Sequence, residues 1–160
     1  MTETRSSVAP AGGNLQLAAR VVGSVGGLGY LPRGPATAGA LAGALVYALW
    51  RPGWQAQLAC LAVACVLGQL AALVLAGPDE PDPKYLVLDE VAGVWVALFA
   101  LPLGWVTCLA GAVLFRVLDR FKPPPVGTVD RHGGRLSVMG DDIVAGVIAC
   151  AVLHVAVAVL

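Results

Sequence analysis

Most of the charge in this chain lies in two short stretches, PDEPDPKYLVLDE from Pro78 and FRVLDRFKPPPVGTVDRHGGRLSVMGDD from Phe115. Around them run long apolar segments with almost no ionisable residue. Charge is costly inside hydrocarbon, so this pattern confines the acids and bases to the ends of apolar helices, at a water interface. Composition sharpens the constraint. The 160 residues are 58% hydrophobic and 12% charged, with a mean hydropathy of +0.81. Soluble domains run at about 45–50% apolar and about 25% charged. Both departures predict an all-α integral membrane protein, a compact bundle of transmembrane helices. Lys plus Arg and Asp plus Glu each number 10, and no basic run offers a phosphate-tracking groove, so nucleic acid is not an indicated partner.

Apolar runs and their breaks divide the chain. Residues 1–14 are polar and small, without a basic start leading into an apolar core, and are expected to be a disordered tail rather than a signal peptide. Residues 15–160 are read as one domain. Residues 15–30 carry Arg20 and several glycines, which predicts an interfacial or re-entrant segment. About five spans follow, at residues 36–50, 54–76, 85–101, 105–118 and 141–160, with Arg51-Pro52-Gly53 and Pro102-Leu103-Gly104 as tight turns. Alternation places both charged loops on one side, together with nine of the ten Lys and Arg residues. The positive-inside rule makes that side cytoplasmic and the C-terminus external. The cysteines, Cys60, Cys65, Cys108 and Cys150, all sit in apolar runs without metal or redox spacing and read as small buried hydrophobes.

The chemistry-bearing residues fall at one membrane level. Asp89 and Glu90 open an apolar helix after Leu86-Val87-Leu88, where two adjacent carboxylates need a cation or metal partner. Arg116, Asp119 and Arg120 share a helix end through spacings of three and four. Pro123, Pro124 and Pro125 then stop the helix and fix the direction of Lys122. Asp130, Arg131 and His132 precede Gly133-Gly134, and Asp141-Asp142 open the last span, one of them expected as its N-cap. The carboxylates Asp89, Glu90, Asp119, Asp130, Asp141 and Asp142 form a hard oxygen set suited to Mg²⁺. Arg116, Lys122, Arg131 and Arg135 suit an anionic substrate, and a phosphorylated lipid meets both requirements. His154 lies well along the last span and reads as structural, and Gln69 reads as an interhelical hydrogen-bond donor.

Taken together, LVLDEVAGVWVAL, FRVLDRFKPPP and DRHGG with GDDIVAGV resemble the bacterial phosphatidylglycerophosphatase A family. The matching positions are Asp89, Glu90 and Gly93; Arg116, Asp119, Lys122 and Pro123; Asp130, Arg131, Gly133 and Gly134; and Asp141, Asp142 and Gly146. Gly23, Gly26, Gly29, Pro32, Pro35, Thr37 and Gly39 look like its N-terminal motif, with Pro35-Ala36-Thr37 where the family usually has Pro-Gly-Thr. The resemblance implies Mg²⁺-dependent hydrolysis of phosphatidylglycerophosphate to phosphatidylglycerol at the bacterial inner membrane, and the positive-inside reading turns the site to the cytoplasm. It also implies Thr37 as a substrate ligand.

Other phosphatase chemistries lack their residues. No arginine stands six positions beyond any cysteine, and no Asp-x-Asp opens a phosphoaspartyl loop. Metal-activated water is therefore expected, with Asp89, Glu90, Asp141 and Asp142 as metal ligands and Arg116 and Lys122 on the phosphate. Asp119 or Asp130 would be the base, and an aspartyl nucleophile is the rival. Alternative functions are a phosphatase for another phosphorylated membrane lipid or a phosphatidyltransferase of the CDP-alcohol type. The latter needs an Asp-Gly signature that this chain lacks. A transporter would need ionisable groups near mid-membrane, whereas these sit at one face.

Overall fold

A computed structural model describes residues 12–77, 83–127 and 139–159. Among the described residues all regular structure is helical: α1 (Gly13–Gly23), a 3₁₀ turn (Leu28–Tyr30), α2 (Pro35–Trp50), α3 (Trp54–Leu75), α4 (Leu88–Ala97), α5 (Trp105–Phe121) and α6 (Gly140–Val159). The boundaries follow local chemistry. Pro35 occupies the first position of α2, where its missing N–H costs nothing. Helix α2 ends at Arg51 in the left-handed region, directly before Pro52, and α5 ends in the same way at Lys122, directly before Pro123.

The centre of the bundle is α4. Seven of its ten residues are buried, against α2, α3, α5 and α6. Small residues allow that approach. A Cβ at Gly93 would collide with the Phe115 ring, and one at Gly146 would collide with the Gly93 carbonyl, so α4 and α6 meet backbone to backbone. On the other side the Trp95 indole N–H donates to the Gly43 carbonyl at 3.0 Å, and the Trp95 and Tyr47 rings stack 5.0 Å apart. Phe115, Leu98, Val94 and Tyr47 are fully buried in this core.

This corrects the sequence reading of residues 85–101 as a full span. Helix α4 has ten residues, about 15 Å of rise, or roughly half of a bilayer's hydrocarbon thickness. Before it, the Val87 N–H donates to the Gly23 carbonyl at 2.8 Å, so the chain is tied to α1 instead of continuing a helix. After it, Ala100 adopts a positive φ of 56°, and its N–H donates to Gln57 Oε1 at 2.8 Å. Gln57 is 2% exposed, and its Nε2 donates to the Pro52 carbonyl at 2.9 Å. One buried amide thus joins the α2–α3 turn to the α4–α5 turn at the far end of the bundle.

The segment read as interfacial or re-entrant is α1 with its return. Ala19 packs on Ala71 and Ala72, and Val22 and Val25 lie along Val63 to Leu67, so α1 runs antiparallel to the second half of α3. The chain turns at Gly26 and Gly27, both at positive φ, where glycine avoids a Cβ penalty. It returns past Tyr85, whose ring stacks on Tyr30 at 5.1 Å.

Helices α3 (22 residues) and α6 (20 residues) are long and apolar enough to cross a membrane, and α2 is a shorter apolar helix. Most of α3 and α6 lies on the surface, with Leu58, Val63, Val66, Leu70, Val147, Val152 and Val155 exposed. All four cysteines are free thiols; Cys108 is buried in the core as expected, whereas Cys60, Cys65 and Cys150 are only half-buried, which corrects their reading as buried hydrophobes.

Candidate active site

Three helix ends converge on the carboxylates. The first turn of α4 supplies Asp89 and Glu90, the first turn of α6 supplies Asp141 and Asp142, and the last two turns of α5 supply Arg116 and Asp119, with Lys122 just beyond. Helices α4 and α6 run parallel, so Glu90 meets Asp142 and, one turn on, Gly93 meets Gly146. The glycine contact therefore sets the spacing of the acids above it. Both helices also point their N-terminal, partly positive ends toward the cluster, which favours anionic groups there.

Asp89, Glu90 and Asp142 each place one carboxylate oxygen within 4.8 Å of the others, and Asp119, Asp141 and Asp142 do the same. Asp142 belongs to both groups. Asp89, Asp141 and Asp142 are buried. Arg116 Nη1 pairs with Asp119 Oδ2, and Lys122 Nζ donates to Asp141 Oδ2 at 2.8 Å. The Glu90 backbone N–H donates to Asp89 Oδ1 at 3.1 Å.

The charge balance says what such a site can hold. Five carboxylates face the two cations Arg116 and Lys122, a surplus of three formal negative charges among the described residues. Two like charges about 4 Å apart repel by roughly 4 kcal/mol at an effective dielectric constant of about 20. Glu90 Oε2 is buried and has no hydrogen-bond partner among the described residues. A crowded set of hard oxygens with one orphaned buried atom fits a metal ion, and an anionic phosphate needs such a cation to enter.

The structure brings Asp89, Glu90, Asp119, Asp141 and Asp142 together, with Arg116 and Lys122 at their edge. Arg120 is exposed. Thr37 stands in the first turn of α2, at the same end of the bundle, with its side chain exposed. Asp130, Arg131, His132 and Arg135 lie outside the described residues. The N-cap expected from Asp141 or Asp142 is corrected: α6 already begins at Gly140, and both aspartates are buried within its first turn. Their inward pairing competes successfully with capping. His154 is engaged locally, its Nδ1 2.9 Å from the Cys150 carbonyl oxygen. Sequence reasoning missed Gln57. Its signal was an amide in an apolar run, as for Gln69, but Gln55 two residues earlier carries the same signal and nothing in the sequence separates the two.

The profile of the family described as phosphatidylglycerophosphatase A matches residues 21–157. An Escherichia coli K12 protein named phosphatidylglycerophosphatase A is 47% identical over 76 residues, which cover 46% of this chain and 44% of that protein. A Haemophilus influenzae protein of the same name is 33% identical over 79% of this chain and 81% of its own length. A Bacteroides thetaiotaomicron protein named as a candidate phosphatidylinositol-3-phosphatase is 34% identical over 85% of this chain and 91% of its own length. No solved structure matches the chain significantly. With its four motifs inside the matched residues and three of their helix ends joined in one acidic cluster, the chain belongs to the phosphatidylglycerophosphatase A family.

Proposed function

We propose that this chain removes the terminal phosphate of phosphatidylglycerophosphate, yielding phosphatidylglycerol and inorganic phosphate, with Mg²⁺ as its cofactor. The observation that carries the reading is the pair of acidic groups sharing Asp142, flanked by Arg116 and Lys122, in a chain of this family. Asp89, Glu90 and Asp142 are assigned as metal ligands, with Asp141 completing the set. Held by these carboxylates, Mg²⁺ would supply charge neutralisation for an anionic head group.

The rest of the work falls to side chains. Arg116 fixes the orientation of Asp119, and Asp119 is assigned to take the proton of an attacking water as general base. As the water oxygen bonds to phosphorus, the bond from phosphorus to the glycerol oxygen breaks, and Asp119 returns the proton to that leaving oxygen. Lys122 balances charge on the phosphate side and holds Asp141. Asp130, as an alternative base, and Arg131 and Thr37, as phosphate ligands, complete the assignment made from the family motifs.

The apolar exposed faces of α3 and α6 support a multi-pass membrane protein. In this reading α2 and α5 span beside them, α4 is a half-length helix buried among them, and α1 dips in from the site end. The excess of Lys and Arg at that end supports a site at the cytoplasmic face of a bacterial inner membrane.

The Bacteroides relative favours one further reading, in which the substrate is a phosphorylated inositol lipid. Both substrates are phosphomonoesters on an anionic lipid. Phosphate release from phosphatidylglycerophosphate and from phosphatidylinositol 3-phosphate, measured side by side in detergent with Mg²⁺, separates them. Faster release from the first is expected, loss of that release in Asp89→Asn would tie it to the site, and release from the inositol lipid alone would replace the reading.

A further inference from the structure

The outer face of the helix turn that carries Asp141 and Asp142 lines a groove. Gly140 and Ile143, on either side of the two aspartates in sequence, form one wall, and Cys65, Val66, Gln69 and Leu70 of α3 form the other. The groove is open along its length and has a volume of 520 Å³, within the range of about 300–1,000 Å³ usual for small-molecule sites. Its depth is graded. Gly68 packs directly on Met139, so Gln69 and Leu70 with Met139 and Gly140 mark the end next to the carboxylates. Cys65, Val66 and Ile143 lie one turn deeper and are apolar. Further grooves among the described residues lie elsewhere. The groove between α2 and α5 runs toward Trp105 and Ala48, and another lies beside Phe99 and His154. A groove beside α1 reaches Leu88, but its walls are apolar throughout.

We infer that the α3–α6 groove seats one acyl chain of the lipid whose phosphate enters the carboxylate cluster. The inference rests on the proposed lipid phosphatase reading. A lipid whose phosphate lies at Glu90 and Asp142 carries its ester linkages a few atoms away and its chains beyond them, pointing into the apolar layer. The groove is apolar along its length apart from the Gln69 amide, which stands at the site end where the ester linkages would lie. The acids face the bundle interior and the groove faces out from the same turn of α6, so head and tail are bound by opposite sides of four consecutive residues. This makes the groove part of substrate positioning, and its occupancy sets the preference for chain length.

Val66 is exposed on the groove wall and lies outside the acidic cluster, so Val66→Trp fills the groove without touching the acids. The full chain would be assayed in detergent with Mg²⁺ on long-chain (dioleoyl) and short-chain (dihexanoyl) phosphatidylglycerophosphate. Leu45→Trp, in the α2–α5 groove, is the control. Val66→Trp should raise KM for the long-chain substrate by about tenfold, the loss of a few buried methylenes, with kcat and the short-chain KM unchanged. Leu45→Trp should change neither. Equal effects on both substrates, no effect, or the same long-chain effect from Leu45→Trp would overturn the groove. Absence of phosphate release from wild type with either substrate would instead overturn the proposed reaction. A second measurement, independent of any variant, is photolabelling of wild type by phosphatidylglycerophosphate carrying a mid-chain diazirine. Label concentrated on α3 and the start of α6 supports the groove, and equal label in the α2–α5 groove overturns it.

Discussion

Lys122 Nζ donates to Asp141 Oδ2 across 2.8 Å, joining the residue that ends α5 to the first turn of α6. The contact depends on backbone punctuation. Lys122 takes a left-handed conformation, the prolines behind it prevent the helix from continuing, and the side chain is delivered sideways to the neighbouring helix. Lys122→Met removes a charge from a site already rich in carboxylates and leaves Asp141 buried without this partner. The expected result is a fall in kcat/KM of about 10²-fold, partly restored in Lys122→Arg. Because the lysine is one-third exposed, the stability loss should stay near about 1 kcal/mol. Steady-state phosphate release and thermal unfolding in detergent measure the two effects separately.

The spacing of the acids rests on two glycines. Gly146→Ala drives a methyl group into the Gly93 backbone, and Gly93→Ala drives one into the Phe115 ring. Each should destabilise the bundle by about 1–3 kcal/mol, the usual cost of overpacking. Each should also weaken activity by shifting Glu90 against Asp142. Thermal midpoint and phosphate release should fall together in both variants, whereas Gly53→Ala, where only the end of Gln55 lies nearby, should change neither.

Glu90 has a buried oxygen without a hydrogen-bond partner among the described residues, and the proposed ligand role explains it. Glu90→Gln keeps the shape and removes the charge. The Mg²⁺ concentration for half-maximal activity should then rise by about tenfold or more. A Mg²⁺ titration of phosphate release checks this, and an unchanged titration with lowered kcat would place Glu90 outside the metal set.

Gln57 lies at the opposite end and links two turns through Pro52 and Ala100. Gln57→Leu leaves the Ala100 N–H without its partner and should cost about 1–3 kcal/mol. Activity of the folded fraction should be unchanged, since the carboxylate cluster lies at the opposite end of the bundle. A variant that lost activity without losing stability would contradict this division between the two ends.

Much of this arrangement was legible before the structure, and the reasons are local. Proline and glycine placed the turns at Arg51 and Lys122 and the starts of α2 and α3, because those residues act on their own backbone. The clustering of Asp89, Glu90, Asp119, Asp141 and Asp142 followed from charge confined to the ends of apolar runs. The shortness of α4 was not legible. Hydropathy reads residues 85–101 as one apolar run, while the tie from Val87 to Gly23 and the turn held by Gln57 are long-range hydrogen bonds. The same holds for Asp141 and Asp142. Their position at a helix start suggests a cap, and only the packing of α4 and α5 against α6 shows them turned inward. That Asp142 belongs to both acidic groups is likewise a property of three helices meeting.

The most direct test of the metal-dependent reading is phosphate release from phosphatidylglycerophosphate by wild type and Asp142→Asn, each with Mg²⁺, with EDTA, and with Mg²⁺ restored after EDTA. Wild type should release phosphate with Mg²⁺, stop in EDTA and recover when Mg²⁺ returns, while folded Asp142→Asn stays inactive throughout. Full release in EDTA, or an active Asp142→Asn, would contradict a metal held at the shared aspartate and direct attention to an aspartyl nucleophile.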